Sequence, residues 1–431
     1  MDQKQHREQN DQTAFVSWRN MYPNITVEEQ QTTVVRLPYA EDPRLPPSKQ
    51  TLIQTSQWRK SLAACPPEHM ETGQLVFIQQ EQVIAALPFQ LIDAPFGELN
   101  GQVSQLALTL LSAAPYFATW KNNQKVVRIL LIGDLLVSDT EHHQGISTTL
   151  LDHAVCWLEK QESQHGTVAL KVLKEFSEQD RESVQNFSAL GYHPVETEPE
   201  MILYLDNSWQ KITDYTEAMK TKYRRRYKSA RKKGKNIRVR TLDLTELQQD
   251  HQKLQCLLDN VMKNNVFCLA PEKTLLYVQM KKELQQDFIF RVYEIDGTPI
   301  GFSTAIRTNE ELIAHRVGLD YAYNQTHKLY QNMLYDHIEV AISLRCKRIN
   351  YGRTALEIKS AVGAEPKPLF FLIKHPSWMA NQALRWILYA TPRAKWIQRH
   401  PFRHRLPVTP QKPRPISPLP LLKWWNTTCR A

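Results

Sequence analysis

The chain has 431 residues, 42% of them hydrophobic and 23% charged, with a net charge of +10. That length exceeds one ordinary core, so two domains with extensions are expected, and the composition is that of a soluble globular protein. Apolar runs stay well below the roughly 20 residues of a bilayer span. The opening stretch is polar rather than signal-like, and six scattered cysteines form neither a CxxC clip nor a zinc spacing. These features favour a cytoplasmic protein with reduced thiols and no metal. A hydrolase lacks its usual signatures.

In chain order, residues 1–50 read as a polar extension. Residues 75–78 and 83–89 are apolar runs around a polar turn, which predicts a hairpin. Residues 126–137 read as a strand, 146–162 as an amphipathic helix and 167–173 as the next strand. A short helix over 183–190, ended by Gly191, leads to a strand at 201–205. Residues 213–233 form a basic helix, followed by helical stretches at 244–266 and 271–285. A second hairpin spans 288–306, turning at Asp296-Gly297. A strand at 312–320, a helix at 328–344 and a strand at 347–351 follow. Each half therefore repeats hairpin, strand, turn, helix, strand, as an architectural repeat without residue identity. The expected domains are 51–207 and 208–390, the second with an inserted basic helical region at 213–285. The tail, 391–431, is rich in Pro, Arg and Trp.

Charge is unevenly placed. Residues 220–240 hold twelve Lys/Arg and no acid, and residues 366–431 hold another twelve and no acid. The remaining 30 Lys/Arg face 44 Asp/Glu, so two stretches produce the whole positive balance. Such asymmetry suits a polyanion: RNA, a phosphate-rich ligand or an anionic membrane surface. On the basic helix, Tyr223 and Tyr227 lie one turn apart and are expected to pack inward. Residues 378–397 combine Trp with Arg/Lys and no acid, a composition that suits either a membrane interface or packing on the domain.

Residues 348–369 are dense in small, charged and turn-forming types. A strand ending in Gly352, then Arg353, Glu357 and Lys359, stands where α/β folds hold ligands. Glu357 is the candidate general base, Lys359 and Arg353 the anion or oxyanion contacts, and Tyr351 a positioning or proton-donating hydroxyl. His315 and Asp320 are reserves. The alternative is a helix cap with an Arg353–Glu357 salt bridge. In the first half, His142, Gln144, Gly145, Ser147 and Thr148 precede a helix, where backbone N–H groups and hydroxyls can meet phosphate; a plain Ser/Thr cap is the alternative.

That 142–149 segment resembles the Gln/Arg-x-x-Gly-x-Gly/Ala loop of the GNAT acyltransferases, with His142 in place of Gln/Arg and Ser147 in place of the last Gly/Ala. Phe187 and the Leu190-Gly191-Tyr192 turn resemble the late helix and strand of that fold. The second half carries the stronger resemblance. Its basic helix, the 288–306 hairpin, Arg316-Val-Gly-Leu-Asp-Tyr321 and Tyr351-Gly-Arg-Thr-Ala-Leu-Glu-Ile-Lys-Ser360 are similar, in that order, to the Fem-like branch of the superfamily. The equivalent loop, residues 324–330, has no glycine.

The resemblance implies an α/β fold of tandem GNAT-like domains with mixed, mostly antiparallel central sheets flanked by helices. It implies acyl or aminoacyl transfer to an amine of a cell-envelope precursor or small metabolite. Branch members are often described as peptidoglycan biosynthesis or recognition proteins. The co-substrate implied is acyl-CoA, or aminoacyl-tRNA as in the strict Fem enzymes. A non-catalytic binding protein is the rival from another class. The location implied is cytoplasmic, with peripheral contact at the inner face of the membrane as an option.

Overall fold

The computed structural model describes residues 21–27, 31–38, 56–95, 119–121, 124–133, 136–137, 147–264, 270–308, 310–390 and 396–404. The chain opens with β1 (Asn24–Val27) and β2 (Thr32–Pro38), then α1 (Ser56–Ala64). The hairpin β3 (Met70–Gln79) and β4 (Gln82–Pro95) follows, with β5 (Thr119–Lys121), β6 (Gln124–Ile132) and β7 (Leu136–Val137). Next come α2 (Thr148–Glu162), β8 (Val168–Phe176), α3 (Arg181–Ala189), β9 (His193–Glu196) and β10 (Glu200–Tyr204).

The second half has α4 (Ile212–Ala218), α5 (Thr221–Lys233), β11 (Arg238–Thr241), α6 (Leu244–Asn264) and α7 (Thr274–Leu284). Then come β12 (Phe288–Ile295), β13 (Thr298–Arg307), β14 (Glu311–Leu319), α8 (Tyr321–His327) and α9 (Leu329–Ser343). It ends with β15 (Arg348–Asn350), α10 (Leu356–Ala361), β16 (Glu365–Lys367), β17 (Phe370–Lys374) and α11 (Trp378–Ala390).

Two mostly antiparallel sheets result. The first runs β1-β2-β3-β4-β6-β8-β17-β9, with β5 on β6 and β7 on β4. The second runs β11-β12-β13-β14-β15-β10-β16. Only β6–β8 and β14–β15 pair in parallel among the described strands, each joined by a crossover through a helix. The α/β class with helix-flanked mixed sheets holds.

The two halves exchange strands. β10 leaves the first half and pairs with β15 and β16; β17 returns from the second half to pair with β8 and β9. Apolar periodicity could place these strands but not choose their partners. Residues 24–27 and 32–38, expected in a polar extension, form β1 and β2, because Val34, Val35 and Leu37 are fully buried against β3. Within the tail, Phe402 packs between Trp209 and Tyr215, and its backbone bridges Met219. That bridge breaks the expected basic helix into α4 and α5.

Helices pack on both sheets. α2 presents Leu150, Ala154, Val155 and Leu158 at helical spacing to the first sheet. Fully burying each Leu contributes roughly 1.5–3 kcal/mol. α9 buries Leu334, Ile338, Ala341 and Ile342 on one face of the second sheet, and α6 and α7 cover the other with Leu254, Leu258, Tyr277 and Met280. On α5, Tyr223 and Tyr227 pack inward as expected. Arg231 joins them, its Nη1 donating to Asp336 Oδ1 at 2.6 Å and its guanidinium over Tyr227.

Strand exchange predicts that both halves unfold together. Leu372 on β17 is fully buried in the core of the first half, so Leu372→Ala should cost about 2–5 kcal/mol in a single urea transition seen equally by far-UV dichroism and Trp fluorescence. Two separated transitions would contradict the coupling.

Candidate active site

The site grows from the irregularity of β14. Its register against β13 pairs Val317 with Ser303 and Ala314 with Ala305. His315 and Arg316 therefore both face Thr304, a bulge that re-aims their side chains. Thr304 holds the bulge: its Oγ1 accepts from Arg316 N at 2.9 Å and lies 3.3 Å from His315 Nδ1. On its other edge β14 pairs with β15 only at Glu311, Leu312 and Ile313. Beyond that point β15 has ended at Asn350, and residues 314–319 have no strand on that side among the described residues.

Both halves line this region. His315 lies edge-on to Trp58 of α1, ring centroids 5.4 Å apart, and to Tyr277 of α7 at 6.0 Å. Glu272 accepts from Arg316 Nε at 3.0 and 3.1 Å, and from the Tyr277 hydroxyl at 2.9 Å. Burial pushes the Glu272 carboxyl up, but the Arg316 charge, His315 and the hydrogen bonds from Arg316 and Tyr277 outweigh it and hold it at about 2. Burial, then the Arg316 charge, lower His315 to about 4, against the opposing pull of Glu272. The imidazole is therefore neutral at pH 7. The seam is fastened nearby by Lys273–Glu68 at 3.1 Å and by Glu68 N donating to Pro271 O.

The 351–359 segment follows the end of β15. Gly352, Thr354 and Ala355 all have positive φ (63°, 66° and 48°), a strained turn for two non-glycine residues. A Cβ at Gly352 would meet nothing, so φ alone calls for glycine there. Lys359 is buried, and its Nζ donates to the carbonyls of Arg353 and Gly352, satisfying the turn from within. Burial lowers its ammonium to about 7, with Glu198 opposing.

Arg353 lies over the Phe371 ring at 5.1 Å. Glu357 is exposed; it accepts from Ile397 N at 3.2 Å and Arg399 Nη2 at 3.3 Å rather than from Arg353. Tyr351, expected as a positioning or proton-donating hydroxyl, is buried and donates to Leu334 O at 2.8 Å. The segment holds the strand-exchange crossover: Thr354 N donates to Glu198, and Thr197 N to Leu369 O.

In the first half, Ser147 is the N-cap of α2, its Oγ accepting from Leu150 N at 3.0 Å, and Thr148 opens the helix. His142, Gln144 and Gly145 lie outside the described residues. In the second half the glycine-free segment forms α8, not a loop. Asp320 caps it through Ala322 N, and Asn324 Oδ1 accepts from Tyr330 N at 3.0 Å. Asn332 Nδ2 then ties the carbonyls of His327 and Lys328 to Ala230 O of α5. Sequence reasoning missed Glu272, Tyr277 and Trp58. Nothing local marks Glu272, since its role depends on a bulge 44 residues away. Among the described residues no cluster could hold a metal ion.

Residues 218–360 match the family model described as acetyltransferase (GNAT) domain. No curated protein sequence matches the chain. Among solved structures, FemX is similar at 10% identity, covering 85% of this chain and 99% of that one, with a TM-score of 0.47. A tandem GNAT protein from the clavulanic acid biosynthesis pathway is similar at 12% identity, covering 78% and 91%, with a TM-score of 0.46. The C-terminal domain of a putative lysylphosphatidylglycerol synthetase from Agrobacterium fabrum is similar at 10% identity, covering 76% and 89%, with a TM-score of 0.43.

The low position of Lys359 has a measurable consequence. The folded state loses this proton near pH 7, whereas the unfolded chain keeps it to about 10.5. Folding stability should therefore rise with pH between 7 and 10.5 relative to Lys359→Met, measured by urea unfolding. A difference that stays flat across that window would contradict the burial of a strained ammonium. The match to the acetyltransferase (GNAT) domain model spans about a third of the chain.

Proposed function

We propose that the chain is an N-acyltransferase that moves an acyl group from acyl-CoA to a primary amine at the edge of β14 beyond Ile313. One juxtaposition supports this reading: an edge of β14 that has no strand partner over residues 314–319 among the described residues, with only the Leu319 carbonyl taken by Asn260 Nδ2, begins beside a bulge that holds a neutral imidazole. An extended amide chain such as the pantetheine arm can pair with such an edge, and its thioester would then reach the bulge. Backbone N–H groups of that edge can meet the oxyanion, each donor being worth about 2.7–4 kcal/mol in acyl-transfer enzymes.

The neutral amine nitrogen attacks the thioester carbon, and as the N–C bond forms His315 takes the proton that nitrogen loses, directly or through water. The tetrahedral species collapses and the C–S bond breaks. The proton held on His315 then passes to the departing CoA sulfur. Trp58 and Tyr277 hold the ring edge-on, and Thr304 contacts its Nδ1. Arg316 has 48% of its side chain exposed although Glu272 anchors it, which suits an acceptor carrying an anionic group as well as its amine.

In this reading the diphosphate would lie at the junction of α5 and α9 rather than at residues 142–148. Asn324 already takes the Tyr330 N–H, so the N-terminus of α9 offers less backbone to an anion. The end of α5 is tied to that same junction and brings Lys232, Lys233 and Lys235, all exposed, with Lys328 beside them. Side-chain cations would replace the glycine loop.

A second reading, aminoacyl-tRNA as donor, is favoured by the exposed cations along α5: Lys222, Arg225, Arg226, Lys228, Lys232 and Lys233. Binding to tRNA would weaken steeply with salt.

Acetyl-CoA should bind at micromolar concentration in calorimetry and survive moderate salt. His315→Gln should lower kcat by roughly 10²–10⁴-fold with little change in acetyl-CoA affinity, while Glu357→Gln stays active. Full activity of His315→Gln would remove the assigned base. Acetyl-CoA binding that is absent, with tRNA binding present, would transfer the donor role to aminoacyl-tRNA.

A further inference from the structure

Seven large hydrophobic side chains stand exposed among the described residues, and four of them fall within twenty positions: Trp378 (75%), Met379 (76%), Trp386 (65%) and Ile397 (58%). The first three lie on α11. Met379 and Trp386 are seven residues apart, so they stand almost one above the other on the helix, and Trp378 flanks them. The opposite face buries Ala380, Asn381 and Leu384.

The outward face is not a loosely held end. Asn381 pins the helix three ways: its Oδ1 accepts from His375 N at 2.8 Å, its Nδ2 donates to Gly191 O at 2.9 Å, and its carbonyl oxygen lies 3.0 Å from His193 Nε2. A helix clamped to the first half by a buried amide thus carries two indoles and a thioether into solvent. Nothing in the acyl-transfer site calls for them.

We propose that α11 docks the protein on an anionic lipid bilayer, lying in the plane of the interface. The charge pattern selects this occupant. No Asp or Glu occurs anywhere in residues 366–431, where twelve Lys/Arg stand. A protein partner with an ordinary mixed surface would not require sixty-six residues free of acid, whereas a uniformly negative surface repels every carboxylate placed near it. Indoles favour that same boundary, apolar on the ring and hydrogen-bonding at Nε1. Arg385 is exposed on the same helix, and Arg399 and Arg403 follow beyond it. Residues 400–402 run against the start of α5, where Lys220 Nζ donates to His400 O and Lys220 N to Pro401 O, so the cations of α5 adjoin this tail. No helix among the described residues is long and apolar enough to cross a membrane, so the contact is peripheral.

The test is co-sedimentation of the full chain with vesicles of equal phosphatidylglycerol and phosphatidylcholine, and with phosphatidylcholine alone. The comparison protein is the triple variant Trp378→Ser, Met379→Ser, Trp386→Ser, whose altered side chains are exposed and whose thermal midpoint should match the parent. The parent should pellet with the anionic vesicles, less with neutral ones, and the triple variant should partition at least roughly tenfold more weakly. A parent that stays in the supernatant overturns the proposal, as does a triple variant that pellets equally. Sedimentation velocity adds a third arm: a parent dimer that the triple variant turns into monomer, without lipid binding, would make this face a contact between copies and also overturn it.

Discussion

The exchange of β10 and β17 is the constraint on which the rest depends. Each sheet is completed by a strand from the other half, so neither core closes alone. The chain crosses between the halves twice, beside the turn that follows β15. That turn carries three left-handed residues and a buried lysine whose nitrogen caps its carbonyls. Strain of this kind persists only where the surroundings over-determine it, and a double crossover does so. The edge of β14 beyond Ile313 thus lies beside a junction that cannot slide, with Trp58 of one half against His315 of the other.

Buried charge is treated in two ways. Arg128 meets Asp93 at 2.7 and 3.0 Å inside the first half, and Lys171 meets Glu159 at 2.6 Å; burial opposes both charges, and both remain charged because carboxylates answer them. Lys359 has only carbonyl acceptors within bonding distance and falls to about 7. The Glu272–Arg316 pair belongs to the first kind, yet it reaches the surface through the arginine. A carboxylate held at about 2 keeps that guanidinium in place at any ordinary pH while leaving part of it open. A fixed cation beside a neutral imidazole is a useful arrangement for an amine acceptor that also bears a negative group.

Local signals in the sequence were sufficient for most elements. Alternation around Asp296-Gly297 marked β12 and β13, and the 3.6-residue period of Leu150, Ala154, Val155 and Leu158 marked α2. Residues 126–137 read as one strand; in the structure β6 ends at Ile132, Gly133 N still donates to Pro88 O, and β7 pairs with β4 on its own at Ala85 and Ala86. The exchange was invisible because β10 and β17 read as ordinary apolar strands, and nothing in a strand names its neighbour. The density of residues 348–369 read as chemistry; the structure adds that Lys359 Nζ meets the turn's carbonyls, Arg353 lies over Phe371 and Tyr351 donates to Leu334 O, contacts no local pattern announces. The bulge at His315 and the reach of Glu272 were illegible for the same reason: both depend on register across strands and a contact 44 residues apart.

Hydrogen–deuterium exchange with and without acetyl-CoA bears most directly on the central claim, that the edge of β14 beyond Ile313 receives the donor. Saturating acetyl-CoA should slow exchange at residues 314–319 and around the 351–355 turn, with smaller effects at the α8–α9 junction. Protection confined to the start of α2 in the first half, or none anywhere, would contradict the account.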